Sequence, residues 1–129
     1  MKQMIESKLS PDVVTLNSVM KAYAMKGDVR STEYWFDEMK RHRIQPDGFS
    51  YLEIMRAYAH CPESKKRRSH EEDAIRWAKE YLRSKSQWMN TFLPLLQRAI
   101  GDRHFQRFKE DYRKEIAEAE SRGNRYQSD

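Results

Sequence analysis

Residues 11–24 read PDVVTLNSVMKAYA, and residues 46–59 read PDGFSYLEIMRAYA. Pro11 and Pro46, Asp12 and Asp47, Met20 and Met55, Ala22 and Ala57, Tyr23 and Tyr58, and Ala24 and Ala59 all recur at one interval of 35 residues. A fixed interval of that size marks a chain built from stacked supersecondary units, and it outranks local propensity. In the first copy Val13, Leu16, Val19, Met20 and Tyr23 fall at helical spacing, and Gly27 closes the run as a C-terminal cap. In the stretch that follows, Val29, Thr32, Trp35, Phe36 and Met39 form one face of a second helix with charges on the other. This helix stops before Pro46, because the residue preceding a proline is biased out of the helical region. Two antiparallel helices joined at Gly27-Asp28 make a hairpin whose apolar stripe needs neighbouring hairpins to cover it.

Composition agrees with that architecture. Charged residues make up 35% of the 129 and aromatics 12%, with a mean hydropathy of −1.04. Polarity together with large packing groups suits helices that have one apolar stripe and a solvated back. The formal net charge of +5 suits a polyanionic partner, a property shared with many soluble proteins. The single cysteine, Cys61, excludes an internal disulfide framework and reads as a small, semi-buried thiol at a helix end. No apolar run approaches the roughly 20 residues needed to span a bilayer, and residues 1–12 contain no apolar signal-peptide core.

The expected fold class is therefore all-α, with antiparallel helix-hairpin repeats stacked as a short right-handed α-solenoid. Residues 13–47 form the first full repeat. Residues 48–85 form a second, with a basic loop inserted at 61–70 that contains Lys65, Lys66, Arg67 and Arg68. Ser69 or His70, followed by Glu71, Glu72 and Asp73, supplies a cap and an acidic first turn where the helix resumes. Residues 86–122 read as a degenerate capping hairpin: Trp88, Met89, Phe92, Leu95, Leu96, Ala99 and Ile100 come first, Gly101-Asp102 breaks the run, and Phe105, Phe108, Tyr112, Ile116 and Ala119 mark one face of a last helix. Residues 123–129 read as a polar tail. At the other end, Met4, Leu9 and Pro11-Asp12 align with Met39, Ile44 and Pro46-Asp47, so residues 1–12 are expected to be the second-helix remnant of a truncated repeat.

Residues 11–47, with their 35-residue period, Val-Val-Thr start, Asn at the fifth position, Gly-Asp turn, aromatic-rich second helix and Pro-Asp close, resemble a pentatricopeptide repeat. The resemblance is strongest over residues 13–47 and fades after about residue 85. The tetratricopeptide alternative has a 34-residue period and a Trp-x-x-Leu-Gly-x-x-Tyr first helix, and neither is present. The resemblance implies a right-handed superhelix that binds single-stranded RNA at roughly one base per repeat. In that family the fifth and last residues of a repeat read the base edge. Here these are Asn17 and Asp47, with Val14 as the neighbouring sandwiching residue, and the pair is the one associated with uridine. The same residues have simpler roles available, Asn17 as a solvated polar position and Asp47 as a helix N-cap. The second repeat departs from the pattern with Leu52 at its fifth position. Phe49 is available either to stack on a base or to pack between hairpins.

Lys65, Lys66, Arg67 and Arg68 are the candidates for contacts to RNA backbone, since phosphate neutralisation needs only well-placed cations. No enzyme is expected. A zinc deaminase requires His-x-Glu and Cys-x-x-Cys, and one cysteine cannot supply the latter. His60, Cys61 and His70 lack recognised ligand spacing, so neither metal nor other cofactor is expected. Base stacking contributes about 1–3 kcal/mol per base, too little for two repeats to act as a free-standing sequence-specific regulator. The expected role is thus a subunit of a larger ribonucleoprotein, such as a ribosome or RNA-processing complex, and the resemblance alone implies mitochondria or another organelle as its compartment. Its partners are single-stranded or ribosomal RNA and other protein subunits, with no membrane and no small-molecule substrate. The competing expectation is a protein-binding scaffold that docks a subunit through Leu52 and residues 88–100.

Overall fold

The computed structural model describes residues 12–127, with side chains as far as residue 123. The remnant expected at the N-terminus therefore lies outside the described residues, apart from Asp12. Seven α-helices follow in order: α1 (Val13–Ala24), α2 (Val29–Arg41), α3 (Gly48–His60), α4 (His70–Ser84), α5 (Phe92–Ile100), α6 (Asp102–Asp111) and α7 (Arg113–Gln127). A 3₁₀ turn, Glu63–Lys65, lies between α3 and α4, and there is no strand among the described residues.

The recurring Pro-Asp is a helix-start device. Asp12, Asp28 and Asp47 are N-caps of α1, α2 and α3, and their carboxylates accept from the backbone N–H of Thr15, Ser31 and Ser50 at 2.8, 3.0 and 3.2 Å. Each satisfies one of the donors that a helix start leaves orphaned. Those backbone donors also hold the carboxyls of Asp12 and Asp28 below the usual carboxylate range. At the far end of α1, Gly27 adopts φ 71°. Its N–H bonds to the Ala24 carbonyl and that of Asp28 to Tyr23, the paired bonds of a Schellman cap. A side chain at Gly27 would also place a Cβ 2.2 Å from the His60 carbonyl oxygen. The turn thus needs glycine both for its dihedral and for its close approach to the next repeat. The same cap ends α2, with N–H bonds from Arg43 to Lys40 and from Ile44 to Met39, yet here the left-handed residue is Arg43, at φ 62°.

The first helices α1, α3 and α5 pack side by side in one row, and α2 and α4 form a second row against them. α3 is the central element, touching α1, α2, α4 and α5, and nine of its thirteen residues are buried. An aromatic path runs through it. Phe36 of α2 meets Tyr51 and Trp77 edge-on at 5.1 and 4.9 Å, Tyr51 meets Tyr81, and Tyr81 contacts Trp88 and Phe92 at 5.5 and 4.3 Å. Offset and edge-to-face pairs of this kind add about 0.5–1.5 kcal/mol each beyond area burial. The hairpins are thereby tied across their interfaces, as a stacked repeat requires.

The last unit departs from the sequence expectation in two places. The apolar face from Phe105 to Ala119 is divided between α6 and α7 by a break at Tyr112 (φ −119°, ψ 26°), so one expected helix is two. Beyond residue 122, where a polar tail was expected, α7 continues to Gln127. Gly123 lies inside it, where a Cβ would stand 2.8 Å from that of Trp88. Gly123, expected in the polar tail, is a packing contact.

Candidate functional site

The N-terminal ends of α1 and α3 enclose a pocket of about 470 Å³ lined by Val14, Asn17, Lys21, Asp47, Phe49 and Leu52, among others. Asn17 and Asp47, thirty residues apart, are joined directly: the Asn17 amide donates to Asp47 Oδ1 at 2.9 Å. Ser50 completes the group. Its hydroxyl donates to Asn17 Oδ1 at 2.6 Å and accepts from the Asp47 N–H at 3.0 Å, while its own N–H donates to Asp47 Oδ1. An ionised carboxylate only accepts, so this network fixes which way the Asn17 amide faces. It holds both groups still and leaves Asp47 Oδ2 and the second Asn17 amide hydrogen for a ligand. Asp47 is therefore an N-cap and a pocket-lining residue at once.

Val14 and Phe49 stand at the same position in successive repeats, and both project into solvent, at 67% and 45% exposure. They line the same pocket as the Asn17–Asp47 pair. Two exposed apolar groups and a fixed donor and acceptor in one pocket suit a flat, polar-edged molecule. Phe49 does not pack between hairpins. Leu52 lies buried in the floor, at 4% exposure.

The repeat interval also pairs Lys21 with Arg56, which both line this pocket. Lys21 is exposed and without a carboxylate partner among the described residues, whereas Arg56 bonds the buried Glu53 at 2.8 Å. Sequence reasoning passed over these two cations, although the interval that found Asn17 and Asp47 marks them equally.

The basic run lies elsewhere, past the C-terminal end of α3. A 13-residue helix is about 20 Å long, which sets the distance scale between the two regions. The four cations are not equivalent. Arg67 bonds Glu33 at 3.2 Å and approaches the Tyr58 hydroxyl at 3.4 Å, and Lys66 pairs with Glu63 at 3.0 Å. Glu33 further accepts from the Tyr58 hydroxyl at 2.5 Å and from the Trp77 indole at 2.9 Å. This node fastens α2, α3, α4 and the loop together, and burial with the neighbouring Glu33 carboxylate pushes the Tyr58 phenol far up. Arg67 is thus a structural strut. Lys65 and Arg68 remain exposed, and Lys65 joins Lys26 and Arg30 around a cleft of about 490 Å³ beside the Gly27 turn.

Of the residues considered for metal, Cys61 is buried and its thiol is pushed up by desolvation, while His70 is buried against the Tyr58 ring at 5.1 Å. No group of three ligands that could hold a metal occurs among the described residues. The apolar segment offered to a docking subunit faces inward, since Trp88, Phe92, Leu96 and Ile100 are all at most 6% exposed. No helix among the described residues is long and apolar enough to cross a membrane.

Residues 11–60 match the PPR repeat family. The chain is 36% identical over 50 residues to a putative pentatricopeptide repeat-containing protein of Arabidopsis thaliana, covering 39% of this chain and 12% of that protein. It is 44% identical over 41 residues to a pentatricopeptide repeat-containing protein of the same plant named as mitochondrial, covering 32% of this chain and 6% of the relative. A third such protein from this plant is 25% identical over 64 residues, half of this chain and 10% of its own length. The chain thus spans about a tenth of the length of these relatives. No solved structure matches it.

Proposed function

Because the chain belongs to the pentatricopeptide repeat family, we propose that it binds single-stranded RNA without catalysis, seating one base between Val14 and Phe49 and reading its edge with Asn17 and Asp47. One observation carries this reading. The expected reader pair and two exposed apolar residues at equivalent repeat positions line a single pocket, with the amide and carboxylate already fixed by Ser50.

The donor pattern favours uracil. Its N3–H lies between two carbonyl oxygens, the complement of a free carboxylate oxygen beside an amide N–H. Cytosine and adenine put a ring-nitrogen acceptor where uracil has that N–H, which would meet the carboxylate without a hydrogen between them. Lys21 stands beside the pocket for the backbone, and Lys65 and Arg68 are the members of the basic run left to contact phosphate. Arg67 and Lys66, already paired, contribute less.

One read base at about 1–3 kcal/mol of stacking is a weak grip, near millimolar affinity or below. This supports a role inside a larger assembly, where neighbouring protein and further repeats add contacts. An organellar ribonucleoprotein, such as a mitochondrial ribosome or RNA-processing complex, is the setting proposed, and the mitochondrial relative supports the compartment. The test is equilibrium binding of short U-rich and A-rich RNAs at two salt concentrations, with Asn17→Ala and a Lys65→Ala/Arg68→Ala double variant. A U preference lost in Asn17→Ala with the salt dependence kept is the expected result. Equal binding of both RNAs by the parent chain would refute base reading.

A further inference from the structure

The two hairpin turns differ in length. The first spans residues 25–28, whereas the second is the insertion, residues 61–69, whose 3₁₀ turn, Glu63–Lys65, buries none of its residues. The insertion lies against the first turn, and the cleft of about 490 Å³ between them is lined by Lys26, Asp28, Arg30, Ser64, Lys65 and Arg67, among others. One serine thus stands among four cations and a single carboxylate. We propose that Ser64 is a phosphorylation site, and that its phosphate clasps the insertion to the first turn through Lys26 and Arg30 while drawing Lys65 away from RNA. The last step rests on the RNA-binding reading above, whereas the clasp stands without it.

Ser64 is the serine of the insertion that a kinase can reach. It is exposed, and its hydroxyl makes no hydrogen bond to another described residue. Ser69 is half-buried, donates to Asp73 Oδ2 at 2.8 Å and opens a helix whose first turn holds Glu71, Glu72 and Asp73, so a phosphate there would meet carboxylates. Lys65, Lys66, Arg67 and Arg68 follow Ser64 directly, a charge pattern of the kind by which kinases select substrates. The turn is fastened by Lys66 to Glu63 at 3.0 Å and, just beyond it, by Arg67 to Glu33 at 3.2 Å. Opening it exposes no buried side chain of its own, so it can take up an extended substrate conformation at small cost. In the transfer, Ser64 Oγ forms a bond to the γ-phosphorus of a nucleoside triphosphate as the bond to the β-phosphate oxygen breaks. The nucleoside diphosphate leaves, and the hydroxyl proton passes to a base of the kinase.

The cations are placed to hold the product. Lys26, Arg30 and Lys65 are exposed and form no ion pair among the described residues. Asp28 is committed to the Ser31 N–H at 3.0 Å, and positive charge remains in excess around it. A phosphoserine carries about −1.5 to −2 charges at neutral pH and, opposite such a cluster, makes roughly one to three charge-assisted hydrogen bonds. Once Lys65 is engaged within the cleft, the insertion has one cation fewer to offer an RNA phosphate.

The experiment compares the full chain carrying serine with the same chain carrying genetically encoded phosphoserine at position 64. Phosphorylation is expected to slow amide hydrogen exchange across residues 61–66 about tenfold, the effect of one charge-assisted bond, and to do so less in a Lys26→Ala/Arg30→Ala chain. Exchange that is unchanged or faster, or slowed equally in that variant, would overturn the clasp. With U-rich RNA, phosphorylation should reduce the slope of log affinity against log salt by about 0.7, the loss of one phosphate contact on a single strand, and leave the uridine preference intact. Slower exchange with an unchanged slope refutes the link to RNA and leaves the RNA-binding reading standing. If the unmodified chain binds no RNA, that reading falls, and exchange alone decides the clasp. Treating the unmodified chain with a kinase selective for serines followed by cations should place phosphate on Ser64 by mass spectrometry; phosphate confined to Ser69, or none, would sink the assignment.

Discussion

Replacing Ser50 by alanine isolates the device that aims Asn17 and Asp47. The hydroxyl is fully buried, donates to Asn17 Oδ1 at 2.6 Å and accepts from the Asp47 N–H at 3.0 Å. Each bond has a net worth of about 1 kcal/mol, and the Asn17 carbonyl left without its donor adds part of a desolvation penalty, giving a loss of about 2–3 kcal/mol. For a chain of this size that lowers the thermal midpoint by roughly 6–15 °C. Asn17→Ala removes the Ser50 bond from its other end, so the double variant loses that bond only once. The double-mutant cycle should then show a coupling of about 1 kcal/mol, measured by urea unfolding. Binding follows the same logic. Without Ser50 the Asn17 amide keeps only its bond to Asp47 Oδ1 and is held less firmly, so uracil preference falls about fivefold, or about 1 kcal/mol. Strictly additive single effects, together with an unchanged uracil preference in Ser50→Ala, would refute the claim that one network both caps α3 and fixes the site.

Four further outcomes test the fold that holds the site. Gly27→Ala and Gly101→Ala both place alanine at positive φ, 71° and 85°, but only Gly27 faces a backbone oxygen at 2.2 Å while Gly101 faces open space. Urea unfolding should show a loss of about 1–3 kcal/mol at Gly101, the strain alone, and a larger one at Gly27. Arg43→Gly, which relieves the left-handed cap of α2, should stabilise by about 0.5–1 kcal/mol in the same assay. Glu33→Ala removes the acceptor shared by Tyr58, Trp77 and Arg67, and should cost about 2–4 kcal/mol and speed amide hydrogen exchange across residues 62–69. His70 is neutral in the fold, its pKa lowered from 6.5 chiefly by burial and then by Lys66, and His60 is lowered by burial and then by Arg98 and Arg56. Their contribution is complete above pH 6.5 and is lost as pH falls below it, at up to about 1.4 kcal/mol per pH unit for each proton taken up. Urea midpoints at pH 7.5 and 5 should differ in that sense, and by less in a His70→Gln chain.

The repeat was legible because it is written in residues with local roles. The Pro-Asp pairs cap helices wherever the chain goes, Gly27 ends α1 through its own dihedral, and Leu16, Met20, Phe36 and Met39 mark buried faces by spacing alone. These fixed the all-helical class, the position of the first four helices and the candidacy of Asn17 and Asp47. Contacts between distant residues were not legible. No pattern announced that Ser50 would bind Asn17, that Glu33 would claim Arg67 from a run of four similar cations, or that Gly48 and Gly123 would admit the loop around Trp88. The apolar segment from Trp88 to Ile100 looked the same in sequence whether it faced a partner or the interior, since burial depends on what the tertiary structure brings opposite it. Local chemistry therefore determined which helices form and where they begin. The choice among equivalent side chains, structural strut or free surface group, was made only when helices far apart in sequence came into contact.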